Sequence, residues 1–420
     1  MFKISVFDID ATPPIGSRLA YDQMEAAWEM GLRAKGIVLT GADAPVVLCA
    51  VDWIGIANES QEMFKKTLAD AVQTDPERVA VHTLHQHDAP RSDFSTEKMR
   101  VEMGIALDSY DGTFAREFLP RLGKAAKESI DNLRPVTTIS IGKAPVYEVA
   151  SNRRIVKDGK VIATRYSSCA DAVLRNEPEG LIDPDVTLIA FWDEDAPVAV
   201  LTFYATHPQS YYRTKTANPD FPGIARFYRQ LAIPDALHIH FNGAGGNLAA
   251  GKYNDGSPEN RMILARRLAD GMERAWKNST KIPVTAGEFF WKTAPVLLPV
   301  SDALIKKIEN LSGTSDFLPE SAILWAKRTL SGKTIDVACL SIGKARILFV
   351  PGELFVEYQL AAKSFRPDLA VSMAAYGEYG PSYIGSREAY GQGGYEIESS
   401  PVAENVEDVL LSAFRKLLNN

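Results

Sequence analysis

Residues 46–84 read VVLCAVDWIGIANESQEMFKKTLADAVQTDPERVAVHTL and contain a predicted strand, helix and strand in that order. Residues 46–51 form a short apolar run with β-branched residues, which indicates a buried strand. Asn58 can cap a helix that extends to about Val72, and residues 79–84 form the next strand-like run. Because strand-like runs and amphipathic helical stretches alternate in this way along the chain, the sequence predicts an α/β fold.

The remaining elements are predicted from the same signals of periodicity, capping and turn residues. Further strands are predicted at residues 36–40, 137–141, 186–192, 198–204, 237–241, 335–341 and 347–350, and further helices at residues 114–133, 222–231, 257–276, 319–330, 354–365 and 402–418. Residues 376–395 are rich in glycine and tyrosine, which predicts an irregular loop, and such long loops are usually functional or disordered. No Pro/Gly/Ser-rich linker marks a boundary, so we expect one domain over residues 1–420, with residues 152–180 as an excursion from it.

Composition excludes several classes of protein. The chain has 420 residues, with 46 Lys+Arg and 53 Asp+Glu, and its net charge of −7 argues against a general nucleic-acid binder. No apolar run is long enough for a membrane helix, and the first residues lack the apolar core of a signal peptide. We therefore expect a cytoplasmic protein that acts on a small molecule. A removed signal peptide would instead place it in the periplasm or outside the cell; no oligomeric state is predicted.

The six histidines lie in only three places, and the first place carries an H-x-H pair. His85 and His87 follow a predicted strand, so both side chains lie on one face while His82 points to the other face and is expected to pack. Such a pair presents two imidazoles to one metal ion, or one to a metal and one to a substrate. The alternative is two partly exposed loop histidines.

Two more polar side chains follow predicted strands at the same kind of position. His207 comes directly after residues 198–204, and Glu353 comes after residues 347–350, in the turn Pro351-Gly352-Glu353. Ligands of open α/β sheets gather at this edge, and two imidazoles with one carboxylate are a common catalytic zinc set that leaves a position for water. The alternative for Glu353 is a carboxylate that stabilises the N-terminus of the following helix.

A second H-x-H pair, His238 and His240, leads into the glycine-rich residues 242–247. We favour a structural or supporting role for this pair, because the first set already supplies enough ligands. The glycines match neither a P-loop nor a dinucleotide fingerprint, so a turn that approaches the substrate or binds an oxyanion is the better functional interpretation. Its candidate residues are Gly245, Gly246 and Asn247.

In these residues the chain resembles the neutral/alkaline, non-lysosomal ceramidases and their shorter bacterial relatives. Short matching stretches occur in order over nearly the whole chain. They are residues 7–14, 85–90, 205–208, 242–247, 351–353 and 383–390, together with Tyr395. The resemblance implies a large mixed α/β domain like the N-terminal catalytic domain of that family, without the C-terminal β-sandwich domain of the full-length enzymes.

The resemblance also implies a ligand set and catalytic residues. Zn²⁺ is implied to be held by His85, His207, Glu353 and Tyr383. His87 is implied to assist the developing oxyanion or leaving group. Arg153 is implied to face the substrate, with the adjacent Arg154 as the alternative assignment. Tyr395 is the third implied catalytic residue. Without the resemblance, we would interpret Tyr383 as a loop aromatic packed on the surface.

One segment departs from the family. Ceramidases carry Gly-Asp-Val-Ser-Pro-Asn, whose serine takes part in attack on the amide, whereas residues 246–251 here read GNLAAG, with Ala249 in place of the serine. We therefore predict a zinc hydrolase that uses a metal-activated water and cleaves an amide (N-acyl) bond in a small or lipid-like substrate. The alternatives are an ester- or carbohydrate-acting zinc hydrolase and a catalytically inactive metal- or ligand-binding relative.

Overall fold

Three mixed β-sheets form the framework of the protein in a computed structural model that describes residues 2–41, 43–309 and 320–419. The N-terminal sheet has the strand order Val79–Thr83, Val46–Val51, Arg33–Thr40, Lys3–Asp10 and Arg134–Pro135. The central sheet has the order Leu237–Asn242, Ala196–Tyr204, Asp185–Asp193, Thr138–Pro145 and Thr280–Pro283. The C-terminal sheet has the order Phe289–Val296, Ile335–Ile342, Ala345–Phe349 and Ala370–Ala374.

Helices and five short strand pairs complete the described structure. The α-helices are Glu59–Val72, Phe94–Met103, Thr113–Ser129, Ala172–Asn176, Asp220–Ala232, Glu259–Lys277, Asp302–Glu309, Glu320–Leu330, Val356–Phe365, Arg387–Gln392, Tyr395–Glu398 and Val406–Leu418. The pairs are Ala26–Ala27 with Thr216–Ala217, Gly55–Ile56 with Arg91–Ser92, Ser151–Asn152 with Leu248–Ala249, Arg154–Lys157 with Lys160–Thr164, and Glu353–Leu354 with Tyr383–Ile384. None of the helices in the described ranges is both long enough and apolar enough to span a bilayer.

Each large sheet contains the same supersecondary unit. An antiparallel hairpin is followed by a helix and then by an edge strand parallel to the second hairpin strand. The three helices of these units are Glu59–Val72, Asp220–Ala232 and Val356–Phe365, and the three edge strands are Val79–Thr83, Leu237–Asn242 and Ala370–Ala374. The unit explains why strand-like and helical patterns alternate in the sequence, since a parallel connection needs a crossover helix.

The inner faces of the three sheets pack on one another in a shared apolar core. Leu48, Leu201 and Ile347 represent the three sheets in this core. Alternate residues of each strand face the opposite way and pack under helices, as Val47 does beneath Glu59–Val72. Burial on both faces accounts for the continuously apolar strands seen in the sequence.

The three edge strands end next to one another. The Asn242 side-chain amide donates a hydrogen bond to the Leu84 carbonyl oxygen at 2.6 Å, and the Ala375 N–H donates to the Asn242 carbonyl oxygen at 2.9 Å. The Thr83 N–H donates to the Tyr376 carbonyl oxygen at 3.0 Å, which links the first edge strand to the segment after the third. We call this meeting point the strand junction. The segments that follow all three edge strands are therefore brought to one place.

The predicted mixed α/β class is confirmed, with three kinds of correction. Five strands of the large sheets were not predicted, namely Lys3–Asp10, Arg134–Pro135, Thr280–Pro283, Phe289–Val296 and Ala370–Ala374, and neither were the helices Phe94–Met103, Ala172–Asn176 and Asp302–Glu309. Residues 376–395 are not wholly irregular, because they include the helix Arg387–Gln392. Asn58 does precede a helix, but its side chain does not cap it, since its amide donates to Asp93 and to a carbonyl instead. The first residue of the predicted helix 319–330 lies outside the described residues.

A buried ion pair links the first and second units. The carboxylate of Asp52, directly after strand Val46–Val51, accepts two hydrogen bonds of 2.8 and 2.7 Å from the Arg226 guanidinium, on helix Asp220–Ala232. Both side chains are almost fully buried. Removing one partner of such a pair leaves an uncompensated buried charge, which typically costs about 3–5 kcal/mol.

We therefore expect Arg226→Met to lower the free energy of unfolding by about 3–5 kcal/mol, measured by urea denaturation. The double variant Asp52→Asn/Arg226→Met should recover part of that loss, because no unpaired charge remains. As the control, Lys66→Met breaks an exposed pair with Asp70 and should cost no more than about 1 kcal/mol. Equal effects of Arg226→Met and Lys66→Met would contradict the assignment.

Candidate metal centre

Three histidines and one glutamate meet at the strand junction. The candidate ligand atoms of His85, His87 and His207 all lie within 4.8 Å of one another. Oε2 of Glu353 lies 3.5 Å from Nε2 of His85 and 3.6 Å from Nδ1 of His207. Nε2 of His87 lies 2.9 Å from Nε2 of His207. We call these four residues the histidine cluster.

His85 is held in one orientation by the backbone around it. Its N–H donates to the Trp53 carbonyl oxygen at 2.9 Å, and its φ of 63° places it in the left-handed region. Its Nδ1 lies 2.5 Å from the carbonyl oxygen of Ile54, which can only accept a hydrogen bond. The proton of the neutral ring is thus on Nδ1, and the lone pair of Nε2 is directed to Glu353.

Glu353 is positioned by the turn before it and by a neighbouring tyrosine. Gly352 has a φ of 62°, and a Cβ there would lie 2.6 Å from the Ser382 carbonyl oxygen, so this turn requires glycine. The Tyr379 hydroxyl donates to Oε1 of Glu353 at 2.7 Å. The other carboxylate oxygen, Oε2, has no hydrogen-bond partner in the described part of the chain.

The cluster fits a zinc ion by its donor atoms and by their spacing. Nδ1 of His207 and the hydroxyl of Tyr376 are, like Oε2 of Glu353, buried and without a partner among the described residues. Unpaired buried polar atoms are costly unless something binds them. Two ligand atoms on one tetrahedral zinc ion lie roughly 3.4 Å apart, close to the separations of 3.5 and 3.6 Å around Glu353.

Burial keeps the three imidazoles neutral. It lowers the pKa of His85, partly opposed by the Glu353 carboxylate, and it lowers the pKa values of His87 and His207 well below their usual range. Neutral imidazole is the form that binds metal ions. The cluster is therefore ready to bind a cation at neutral pH without first losing protons.

Arg153 lies beside the cluster in a buried charge network that the sequence analysis missed. Its Nε donates to Oε1 of Glu396 at 2.8 Å, while Nη1 of Arg154 donates to Oε2 at 3.1 Å. Two guanidinium groups on one carboxylate leave one net positive charge. The Arg153 guanidinium lies 5.1 Å from the ring centre of Tyr383 and 5.9 Å from that of Tyr395.

The two predicted tyrosines occupy different positions. Tyr383 is buried, and its backbone pairs with that of Glu353 in the short parallel strand pair. Burial raises the pKa of Tyr383 well above its ordinary value, with the Arg153 guanidinium acting in the opposite direction. Tyr395 is 42% exposed, so it lies at the protein surface.

His87 has a further partner that the sequence analysis did not identify. The Tyr21 hydroxyl lies 3.2 Å from Nδ1 of His87, and the two rings are stacked. Tyr212 contacts both rings. Tyr376 and Tyr379 were also missed individually, although both lie in the tyrosine-rich segment that the sequence singled out. Tyr21 and Glu396 belong to no recognisable motif.

The glycine-rich turn offers one free amide. The Gly246 N–H donates to the Leu354 carbonyl oxygen at 2.8 Å, so it is already used. The Asn247 side chain bonds to Glu357 and to the Val356 N–H, both at 2.9 Å. The Gly245 N–H has no acceptor in the described ranges. Of the three predicted oxyanion candidates, Gly245 is thus the one with an available donor.

The other histidines lie outside the cluster. Nδ1 of His82 donates to the Ala375 carbonyl oxygen at 2.7 Å, and its ring packs on Phe241 and Phe349. His240 bonds to Thr202, and His238 is buried. None of these three belongs to the metal-type group found among the described residues.

Comparisons with known proteins identify the fold. No protein-family model and no curated protein matches the chain. The solved structures that match include a neutral ceramidase from Pseudomonas aeruginosa and a ceramidase complexed with C2, each with a TM-score of 0.69. The chain has the fold of neutral ceramidase. Each match covers 99% of this chain and 74% of the other at 15% identity, which confirms the predicted resemblance at the level of the fold.

We expect the purified chain to bind one zinc ion at the cluster. Replacing a ligand, as in Glu353→Ala or His207→Ala, should weaken zinc binding more than about 100-fold, because about 100-fold is the upper end of the effect of residues that only support ligands. Tyr379→Phe, which removes such a support, should weaken it about 10- to 100-fold. Competition with a zinc-binding dye measures these affinities. His240→Gln is the control and should leave binding unchanged; loss of zinc in this variant alone would refute the assignment.

Proposed function

We propose that this protein is a zinc-dependent hydrolase that cleaves an amide (N-acyl) bond in a small or lipid-like substrate. The proposal rests on one observation: Oε2 of Glu353 lies 3.5 Å from Nε2 of His85 and 3.6 Å from Nδ1 of His207. Both Oε2 of Glu353 and Nδ1 of His207 are buried and have no partner among the described residues. The fold shared with neutral ceramidase supports the choice of an amide bond. That support is an analogy, because one fold hosts many chemistries.

His85, His207 and Glu353 would hold the zinc, with Tyr383 as the fourth ligand that the resemblance implies. Zinc in such a site polarises a carbonyl group and lowers the pKa of water to about 7. The protein fixes the ligands through bonds further out, since Ile54 orients His85 and Tyr379 orients Glu353. Such supports keep a metal site in one geometry.

His87 would move the proton in the reaction. It is neutral and partly buried, with Nδ1 beside the Tyr21 hydroxyl and Nε2 at the edge of the cluster. A neutral imidazole donates a hydrogen bond from one nitrogen and accepts one at the other. It can therefore donate a hydrogen bond to an oxyanion, or accept the proton that the nucleophilic water gives up and then pass it to the departing nitrogen.

Arg153 and Gly245 would stabilise negative charge on the reacting carbonyl. The bonds from Arg153 to Glu396 and to the Gly246 carbonyl oxygen, both 2.8 Å, fix its guanidinium in place. Charge that is fixed before the reaction needs no reorganisation during it, which is why such groups contribute strongly to catalysis. The Gly245 N–H, which has no acceptor in the described ranges, would add a neutral donor.

Ala249 makes water the nucleophile in this proposal. The residue is buried and has no hydroxyl, and its carbonyl oxygen accepts a hydrogen bond of 2.9 Å from Oγ of Ser151. Because the Lys252 N–H also donates to this serine, Ser151 is occupied as a structural residue and does not replace the missing nucleophile.

A panel of chromogenic N-acyl amides and matched esters tests the proposal. We expect amide hydrolysis that disappears with a chelator and returns when zinc is added. Faster cleavage of the esters than of the amides, relative to their uncatalysed rates, would move the assignment to an esterase. A chain that binds zinc but hydrolyses no member of the panel would be an inactive binding relative and would refute the proposal.

His87→Gln should lower kcat about 10²–10⁴-fold, the usual contribution of a general acid or base, while zinc stays bound. Tyr21→Phe should lower it less, because it removes only one hydrogen bond to His87. Activity assays and zinc analysis on the same preparations separate the two roles. If zinc is lost together with activity in His87→Gln, His87 is a ligand and the division of roles is wrong.

A further inference from the structure

One cavity of the protein is separate from the histidine cluster. It has a volume of about 650 Å³ and lies between the edge strand Val79–Thr83 and the C-terminal sheet. Glu378, Gly377 and His82 are among its lining residues, whereas no residue of the histidine cluster lines it. This volume is within the range of small-molecule sites. The cavity is therefore a candidate site of its own.

Glu378 brings an uncompensated carboxylate to this cavity. Its Oε1 accepts hydrogen bonds from the backbone N–H groups of Asn58 at 2.8 Å and Gly380 at 2.9 Å. Its Oε2 has no hydrogen-bond partner in the described ranges. Two backbone donors thus fix the carboxylate, and one oxygen is left to accept a bond from something else.

No basic side chain neutralises Glu378 directly in the described part of the chain. The cations that line the cavity contact other carboxylates: Lys65 lies 3.7 Å from Asp336, Lys66 lies 2.7 Å from Asp70, and Arg328 and Lys333 both contact Glu62. Burial raises the pKa of Glu378 to about 7, and the Arg328 guanidinium opposes this shift only in part. A buried carboxylate without a counter-ion is costly, so a cationic ligand would be favoured here.

One other side chain that lines the cavity adds an acceptor. His82 uses Nδ1 to donate to the Ala375 carbonyl oxygen, so its Nε2 is an acceptor. The amide nitrogens of Asn58 and Gln61 donate to other oxygens of the protein, and their carbonyl oxygens are fully buried. The carboxylate and the imidazole nitrogen together call for a ligand with more than one N–H donor.

Two tryptophans form apolar parts of the wall. Trp291 and Trp325 both line the cavity, and the Trp325 indole N–H has no partner in the described residues. Indole faces attract organic cations and pack against hydrocarbon. The lining thus combines one carboxylate, one imidazole acceptor and aromatic surface.

We propose that this cavity binds a small primary organic ammonium ion, with the ammonium group at Glu378 and His82 and the hydrocarbon part against Trp291 and Trp325. The three N–H donors of an ammonium match the acceptors, and its charge compensates the carboxylate. The inference does not rest on the proposed hydrolase, because the cavity shares no lining residue with the histidine cluster.

Isothermal titration of the full chain with butylammonium, benzylammonium and 2-phenylethylammonium tests the proposal. We expect one of these ions to bind with one-to-one stoichiometry and benzyl alcohol to bind at least about tenfold more weakly, a loss of about 1.4 kcal/mol. Glu378→Gln, which keeps the acceptor for Asn58 and Gly380, should weaken ammonium binding by at least the same factor. Equal binding of alcohol and amine, or no binding of any amine at about 10 mM, would overturn it.

Matched variants locate the site. Glu77→Gln changes an exposed carboxylate of the same cavity and should leave ammonium affinity unchanged, as should Glu353→Gln in the histidine cluster. If Glu353→Gln weakens binding and Glu378→Gln does not, the amine binds at the cluster and the proposal is wrong. If Glu378→Gln does not fold, Trp291→Ala provides a second test. This variant should bind the amine more weakly and show a smaller ligand-induced change in tryptophan fluorescence. Unchanged amine affinity in Trp291→Ala would also contradict the proposal.

Discussion

The strand junction is the constraint on which the rest of the structure depends. Each of the three sheets has an edge strand parallel to its neighbour, and these three edge strands end together. The backbone groups at their ends bond to one another or to the Asn242 side chain instead of to water. Buried backbone groups must find partners, so the sheets cannot shift relative to one another without breaking these bonds. Whatever follows each edge strand is consequently fixed in position relative to the other two.

This constraint explains why strained residues occur around the cluster. His85, Tyr376 and Ser382 all have positive φ values although none is glycine. Such conformations cost free energy and persist when the surroundings overdetermine them. The junction supplies that restraint, because bonds to Trp53, Gly352 and Tyr379 hold the three backbone N–H groups in turn. Side chains on so restrained a backbone keep their relative positions before any ligand binds.

Sequence patterns predicted the parts of the fold and site that depend on local order. His85, His207 and Glu353 each follow an apolar run, and position at a strand end is a local signal. Contacts between distant segments leave no such signal: Arg153 and Glu396 are 243 residues apart, and Asn58 and Glu378 are 320 apart. The edge strand Ala370–Ala374 was missed for a related reason, since pairing with Ala345–Phe349 stabilises a run that is weakly strand-like alone.

The segment after the third edge strand serves two sites at once. Tyr376 stacks on His85 and Tyr379 bonds to Glu353, while Gly377 and Glu378 line the cavity. The backbone bends within this segment, where Tyr376 has a φ of 61°, so one short stretch contributes residues to both places. If a ligand in the cavity changed the metal affinity of the cluster, the metal would change the affinity for that ligand by the same factor, because binding linkage is reciprocal. The two sites are thus separate in their lining residues and adjacent along four consecutive residues of the chain.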